Sequence, residues 1–235
     1  MTAIGAVIFD KDGTLFDFRQ SWGGWTKALL TALAPYSRGD VAQVLGFDPA
    51  TLTFQPDSPV IAATMYDIAA VIHPQLEGMS LKALQDMMNT LGTSAQMTPA
   101  VDLTRVLSGL KARGLRLGLA TNDTEAPARA HLAAAGVIEL FDFIAGCDSG
   151  YGGKPAPGQL LAFADRVGVS PSQIAMVGDS LHDLDAARAA GMKAVGVLTG
   201  PASRANLAPH ADVVLSTIAE LADWIDSLNR GLNRN

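Results

Sequence analysis

The sequence predicts an α/β protein: an open, mostly parallel sheet flanked by helices, interrupted near its start by an inserted all-helical subdomain. Three observations carry this prediction. Ala6-Val7-Ile8-Phe9 is an unbroken apolar run leading into two aspartates, the pattern of a strand buried on both faces. From residue 100 onward, short apolar runs alternate with segments of helix length, the signature of βαβ crossovers in a parallel sheet. Between the two, residues 16–91 place apolar residues three or four apart, as in Leu81, Leu84, Met87, Met88 and Leu91, and contain no run that reads as a buried strand.

Taken in order, the first strand ends at Phe9, and Gly13 and Thr14 open a loop. Helices are then expected over residues 25–33, 41–45, 60–72 and 81–91, with Pro35, Pro49, Pro56, Pro59 and Pro74 in the gaps. Residues 92–99 read as a return linker. A helix over 101–113 stops at Gly114, a strand follows over 115–120, and a helix over 125–135 stops at Gly136. Further strands are expected at 141–145, 174–177, 194–198 and 213–215. Helices are expected at 157–167, 181–190 (stopped by Gly191) and 218–228. The domain expectation is therefore an α/β core of residues 1–16 and 97–235, with residues 17–96 as the helical insert.

Composition narrows the function classes. With 235 residues, 49% of them hydrophobic and 17% charged, the chain has the makings of a substantial core. Its net charge of −6 offers no basic face for phosphate backbones, which argues against nucleic acid as a general partner. The single cysteine, Cys147, cannot form an internal disulfide, which fits a reducing compartment. The start of the chain has no charged region followed by an apolar stretch, so no signal peptide is expected. The most apolar window, residues 60–72, contains Asp67 and is too short to span a bilayer. A soluble, cytoplasmic protein with no membrane partner is expected, as a monomer or homodimer.

The polar residues that interrupt the strand pattern fall at strand ends. Phe9 delivers Asp10 and Asp12; Ala120 delivers Thr121 and Asn122; Val177 delivers Gly178-Asp179-Ser180, with Asp183 beyond; and Gly153-Lys154-Pro155 sits in a loop before a helix. Ligands of open parallel sheets collect outside the carboxyl ends of the strands, so these groups are placed to converge. Clustered carboxylates repel one another unless a cation neutralises them, and an oxygen-only donor set suits Mg²⁺. One carboxylate can then attack a phosphoryl group while a neighbouring aspartic acid protonates the leaving oxygen. A threonine and a lysine supply a hydrogen bond and a positive charge to the phosphoryl oxygens.

Four motifs in order, DKDGTL at 10–15, ATN at 120–122, GKPAP at 153–157 and GDSLHD at 178–183, resemble those of the haloacid dehalogenase superfamily, with the phosphoglycolate-phosphatase-like proteins as the nearest subgroup. The resemblance covers the core. The insert is similar to the family's small helical cap in position and character only. It implies a Rossmann-like core, with Asp10 as nucleophile and Asp12 as general acid/base. Thr121, with Asn122 beside it, and the Gly13-Thr14 loop would bind the phosphoryl group. Lys154 would hold that group and the nucleophile together. Mg²⁺ would be held by Asp10, the Asp12 carbonyl and Asp179, with Asp183 orienting that shell. The implied activity is hydrolysis of a small soluble phosphomonoester, phosphoglycolate-like or a sugar phosphate.

Two positions depart from the family pattern. Lys11 replaces the usual apolar residue between the aspartates, and its side chain is expected to point away from both. Gly158 follows KPAP where an acidic residue is common.

Each mark alone has a plainer reading: a turn for Asp10-Asp12-Gly13, a helix cap for Thr121, Asp179 or Asp183, a solvated loop lysine for Lys154. The ordered combination carries the catalytic reading. Competing readings are a hexose-phosphate mutase, a haloacid dehalogenase (which needs neither Mg²⁺ nor the second aspartate) and a phospho-aspartate receiver module. Cys147 reads as a small buried filler. His73, His131, His182 and His210 lack metal-ligand spacing and are expected on surfaces. Trp25 reads as insert core, while Trp22 and Arg19 are candidates for substrate specificity.

Overall fold

A computed structural model describes residues 3–61 and 63–232. The chain enters through β1 (Ala6–Phe9), leaves the sheet for α1 (Phe18–Leu33), α2 (Val41–Val44), β2 (Phe47–Asp48), β3 (Thr53–Phe54), α3 (Met65–Ile72) and α4 (Leu81–Thr93), and then returns. The remainder alternates: α5 (Leu103–Ala112), β4 (Arg116–Ala120), α6 (Glu125–Ala134), β5 (Phe143–Ala145), α7 (Gly158–Val167), β6 (Ile174–Gly178), α8 (Leu181–Ala190), β7 (Lys193–Val197), α9 (Arg204–Leu207), β8 (Val213–Leu215) and α10 (Leu221–Leu232).

Six strands form one parallel sheet in the order β5-β4-β1-β6-β7-β8. Counted along the chain, that is 3-2-1-4-5-6, the dinucleotide-fold order, whose switch point lies between β1 and β6. The apolar run of β1 is explained by its central place. Val7 and Phe9 enter the core on one face with Leu117, Leu119 and Val177, while Ala6 and Ile8 enter the other with Phe163 and Met176. Each such fully buried aliphatic or aromatic side chain contributes about 1.5–3 kcal/mol. β4 takes Gly118 on the second face because a Cβ there would lie 2.7 Å from the Phe163 ring.

The insert has an apolar cluster of its own, built on Phe18, Trp22, Trp25, Leu29, Leu33, Ile68, Leu84 and Met88. Trp25 belongs to this cluster, as the sequence predicts. The two chain crossings between insert and sheet lie side by side. Asp17 N–H donates to the Thr98 carbonyl at 2.8 Å, and Thr98 N–H to Ser21 Oγ at 3.1 Å.

Several boundaries differ from the sequence reading. The helix expected from residue 25 starts at Phe18, because the Asp17 carboxylate caps it by accepting Gln20 N–H at 2.9 Å. The single helix expected over 60–72 is divided, since Thr64 forms a capping box with Asp67 and starts α3 at Met65. Ala62, inside that expected helix, lies outside the described residues, as do Met1, Thr2 and residues 233–235. Residues 92 and 93, read as linker, still belong to α4. The insert also carries the two-residue antiparallel pair β2–β3, too short to leave a periodic trace. The end of α8 is as expected: Gly191 takes the left-handed conformation, φ 72°, that closes the helix.

Candidate active site

The carboxyl ends of β1, β4 and β6 open into a cavity whose opposite wall is the insert. Asp10, Asp12, Thr121, Asn122, Lys154, Asp179, Asp183 and Trp22, all singled out from the sequence, line it. Arg19 does not, and is exposed on α1. Gly13 and Thr14 are buried in the loop beneath. Gly13 has φ +84°, and a Cβ there would lie 2.3 Å from Asp179 Oδ2. The Thr14 hydroxyl is buried without a hydrogen-bond partner among the described residues.

Lys154 is the hub of one side. Its ammonium has three N–H donors, and all three are used: Asp10 Oδ1 at 2.6 Å, Asp183 Oδ1 at 2.7 Å and the Ala120 carbonyl at 2.8 Å. Burial works against this charge, but Asp10 and Asp183 outweigh it and raise the lysine pKa. Asn122 fixes the backbone of that lysine from both sides: its Oδ1 accepts Lys154 N–H at 2.7 Å and its Nδ2 donates to the Lys154 carbonyl at 2.9 Å. Thr121 Oγ1 accepts Asp123 N–H at 3.1 Å, which leaves the hydroxyl proton to donate.

Asp183 is occupied on both oxygens, since Oδ2 accepts Ser180 N–H at 3.0 Å and Ser180 Oγ–H at 2.7 Å. The carboxylates of Asp10, Asp179 and Asp183 approach within 4.8 Å of one another and are all buried. Burial raises the Asp10 pKa to about 7, Lys154 opposes the shift, and Asp183 and Asp12 add to it. Asp179 is raised well above the usual carboxylate range by burial and by the charges of Asp10 and Asp183. A hard divalent cation fits this all-oxygen set, whose like charges otherwise have only one shared lysine between them. Gly200 leaves the space that the Asp179 carboxylate occupies: a Cβ there would lie 1.6 Å from Asp179 Oδ2.

Lys11 corrects the sequence reading. Its side chain does not point away from Asp12 but is fully buried, with Nζ 3.1 Å from Asp12 Oδ2, 2.8 Å from Asp123 Oδ2 and 3.0 Å from His131 Nδ1. The ammonium also lies 5.3 Å from the Trp22 ring centroid, within cation–π range. Because an ammonium only donates, His131 Nδ1 accepts, so the neutral imidazole carries its proton on Nε2 and donates it to the Gly92 carbonyl at 2.8 Å. Burial and the Lys11 charge both lower the His131 pKa, which agrees with that tautomer. His131 is therefore a core residue, not the surface histidine expected, because the buried ammonium needs an acceptor there. His73, His182 and His210 are part-exposed, and His182 lines the cavity.

Asp123, His131 and Gly200 are among the site residues that sequence reasoning missed, and Lys11 is one that it misread. A signal existed for two of them. Asp123 directly follows Thr121 and Asn122 at a strand end, and a lysine closing a strand buried on both faces demands an anionic partner. Cys147 is half-buried just after β5, and burial, with Asp148 and Asp123, pushes its thiol up to about 12. At Gly158 a Cβ would lie 2.1 Å from the Tyr151 carbonyl oxygen, which explains why no acidic side chain occupies that position.

Comparison with known proteins agrees with this arrangement. Residues 4–191 match the family of haloacid dehalogenase-like hydrolases. The phosphoglycolate phosphatase of Xylella fastidiosa strain Temecula1 is 32% identical over 199 residues, 83% of this chain and 80% of that protein. In fold, the chain resembles CbbY of Rhodobacter sphaeroides in complex with phosphate (TM-score 0.70, 22% identity, 93% of this chain and 96% of that one). It also resembles the β-phosphoglucomutase of Clostridium difficile (TM-score 0.67, 20% identity, 99% of this chain and 100% of that one). With four motifs converging on one sheet edge and a family match over most of its length, the chain belongs to the haloacid dehalogenase-like hydrolases, with phosphoglycolate-phosphatase-like proteins among its relatives.

Proposed function

We propose that this chain is a Mg²⁺-dependent phosphatase that hydrolyses a small soluble phosphomonoester through an aspartyl-phosphate intermediate. The observation that carries the reading is the Lys154 ammonium, 2.6 Å from Asp10 at the switch point of the sheet, with Asp179 and Asp183 beside it. Residues 17–96 act as a cap domain over a core of residues 1–16 and 97–235.

In this mechanism an Asp10 oxygen attacks phosphorus, the bond to the leaving oxygen breaks, and the Asp12 carboxylic acid gives that oxygen its proton. Asp12, now a carboxylate, takes a proton from water; the resulting hydroxide attacks phosphorus, and the bond to Asp10 breaks to release inorganic phosphate. Thr121 donates to a phosphoryl oxygen, and Lys154 keeps Asp10 oriented and offsets negative charge as it develops. Asp183 holds Lys154, and Asn122 holds the loop that carries it. Asp10, Asp179 and the Asp12 carbonyl would hold Mg²⁺, which supplies charge neutralisation to the transferring group. The insert excludes bulk water from these steps. Dehalogenation uses neither Asp12 nor Asp179, so their presence favours phosphoryl transfer. The reading is of a cytoplasmic monomer or homodimer acting on a small molecule without nucleic acid or membrane; no helix among the described residues is long and apolar enough to cross a membrane.

The test is phosphate release with Mg²⁺ from a panel of phosphomonoesters that includes 2-phosphoglycolate and sugar phosphates, wild type against Asp10→Asn. Release by the wild type alone is expected. Equal rates for the two proteins on every ester would refute the proposal, and isomerisation of a sugar phosphate without net release would identify a mutase instead.

A further inference from the structure

The two walls of the cavity differ in chemistry. Every charged side chain that lines it stands on the sheet edge, whereas the insert contributes Trp22, Val60, Ile61, Ala63, Met65 and Ile68. Residues 17–96 contain only four lysines and arginines: Arg19, Lys27, Arg38 and Lys82. All four are exposed and none lines the cavity; Arg38 pairs with Glu77, and Lys82 with Asp86. On the sheet edge the lysines are committed, Lys154 to Asp10, Asp183 and the Ala120 carbonyl, and Lys11 to Asp12, Asp123 and His131.

A phosphomonoester with its phosphoryl group at Asp10 must point the rest of the molecule at the insert. A carboxylate there would meet no lysine or arginine of the insert among the described residues and would face five aspartates across the cavity. A polyhydroxylated sugar would lose water to an aliphatic surface that returns few hydrogen bonds. An apolar group would instead bury against Met65, Ile68 and Trp22.

From this chemistry we infer that the preferred substrate is the phosphate ester of an uncharged, largely apolar alcohol, rather than one bearing a carboxylate or a sugar. The inference rests on the phosphatase reading above and sharpens it at the leaving group. Ala63, part-exposed on the cavity wall, is the position where a cation would change the preference.

The experiment compares kcat/KM for benzyl phosphate, 2-phosphoglycolate and glucose 6-phosphate, all esters of alcohols, in the full-length wild type, Ala63→Arg and Asp10→Asn. Benzyl phosphate is expected to exceed each of the others by about tenfold or more in the wild type. Ala63→Arg is expected to shift the ratio toward 2-phosphoglycolate. A wild-type ratio under tenfold, or a ratio unmoved in a folded Ala63→Arg protein, overturns the inference while leaving the phosphatase reading intact. Wild-type release no faster than Asp10→Asn on all three esters overturns both. The wild-type ratio decides the matter even if the variant does not fold.

Discussion

Replacing Lys11 by methionine tests the least expected feature of the site. The substitution keeps most of the side-chain volume and removes one fully buried ammonium. That ammonium serves Asp12 at 3.1 Å, Asp123 at 2.8 Å and His131 at 3.0 Å. The Asp123 side chain is only 3% exposed, and without Lys11 its carboxylate keeps a single hydrogen-bond donor among the described residues, Thr124 N–H at 2.8 Å. Removing one partner of a buried ion pair costs about 3–5 kcal/mol. At about 1.4 kcal/mol per decade, this shifts the unfolding equilibrium by roughly a hundredfold to several thousandfold. Urea denaturation of wild type, Lys11→Met, Asp123→Asn and the double variant measures it. The double variant is expected to recover part of the loss, because the carboxylate left without its cation is then gone. A loss under about 1 kcal/mol, the worth of a surface pair, would refute the reasoning, as would strict additivity of the two single effects.

Gly200→Ala is expected to keep the fold by circular dichroism and to lose about a hundredfold in phosphate release, since its Cβ would lie 1.6 Å from Asp179 Oδ2 and must displace that carboxylate. Asp142 accepts from Lys111 Nζ at 2.8 Å, Leu117 N–H at 2.9 Å and Arg116 at 3.0 Å; burial opposes the shift, but these bonds hold its pKa below the ordinary carboxylate value. The stability it contributes is therefore present above the unfolded pKa of about 3.9 and is lost as pH falls through the lower folded value, so wild type and Asp142→Asn should differ in urea midpoint near neutrality and converge in acid. Chelation should abolish phosphate release and weaken inorganic phosphate binding measured by calorimetry, with Mg²⁺ restoring both; undiminished binding in chelator would count against the cation site.

How legible this protein was in its sequence depended on whether a feature is local or needs a partner from far along the chain. β1 was visible because burial on both faces leaves a contiguous apolar run, and α8 because Leu181 to Gly191 carries its own stop. Asp10, Thr121, Lys154 and Asp179 were visible because each sits at a strand end or in the connection after one, where the topology itself brings groups together. Lys11 was misread because its partners, Asp123 and His131, lie 112 and 120 residues away. The buried strand before it signals that Lys11 needs an anionic partner, but nothing local says which residues supply it. The division of residues 60–72 was missed for a different reason, since Thr64 fits a helical stripe as easily as it caps one. Gly200 carried no local signal, because its role is the space it leaves for Asp179.

Charge pairing explains why these residues form one site rather than three neighbouring ones. Five aspartates line the cavity (Asp10, Asp12, Asp123, Asp179 and Asp183), and two lysines serve them. Lys154 bridges Asp10 and Asp183; Lys11 bridges Asp12 and Asp123. Each lysine thus takes two carboxylates and spends its third donor elsewhere, so the fifth aspartate, Asp179, has no lysine. Asp179 is also closely packed, since neither Gly13 nor Gly200 leaves room for a Cβ beside its carboxylate. A carboxylate left over in the charge count, buried, and locked in position beside Asp10 is the group to which a divalent cation would bring the missing charge. In the proposed mechanism the nucleophile then belongs to the Lys154 pair, the proton carrier to the Lys11 pair, and the cation to Asp179. A substrate phosphate adds negative charge to a site that is already short of positive charge, so the cation would have to be in place for that phosphate to stay.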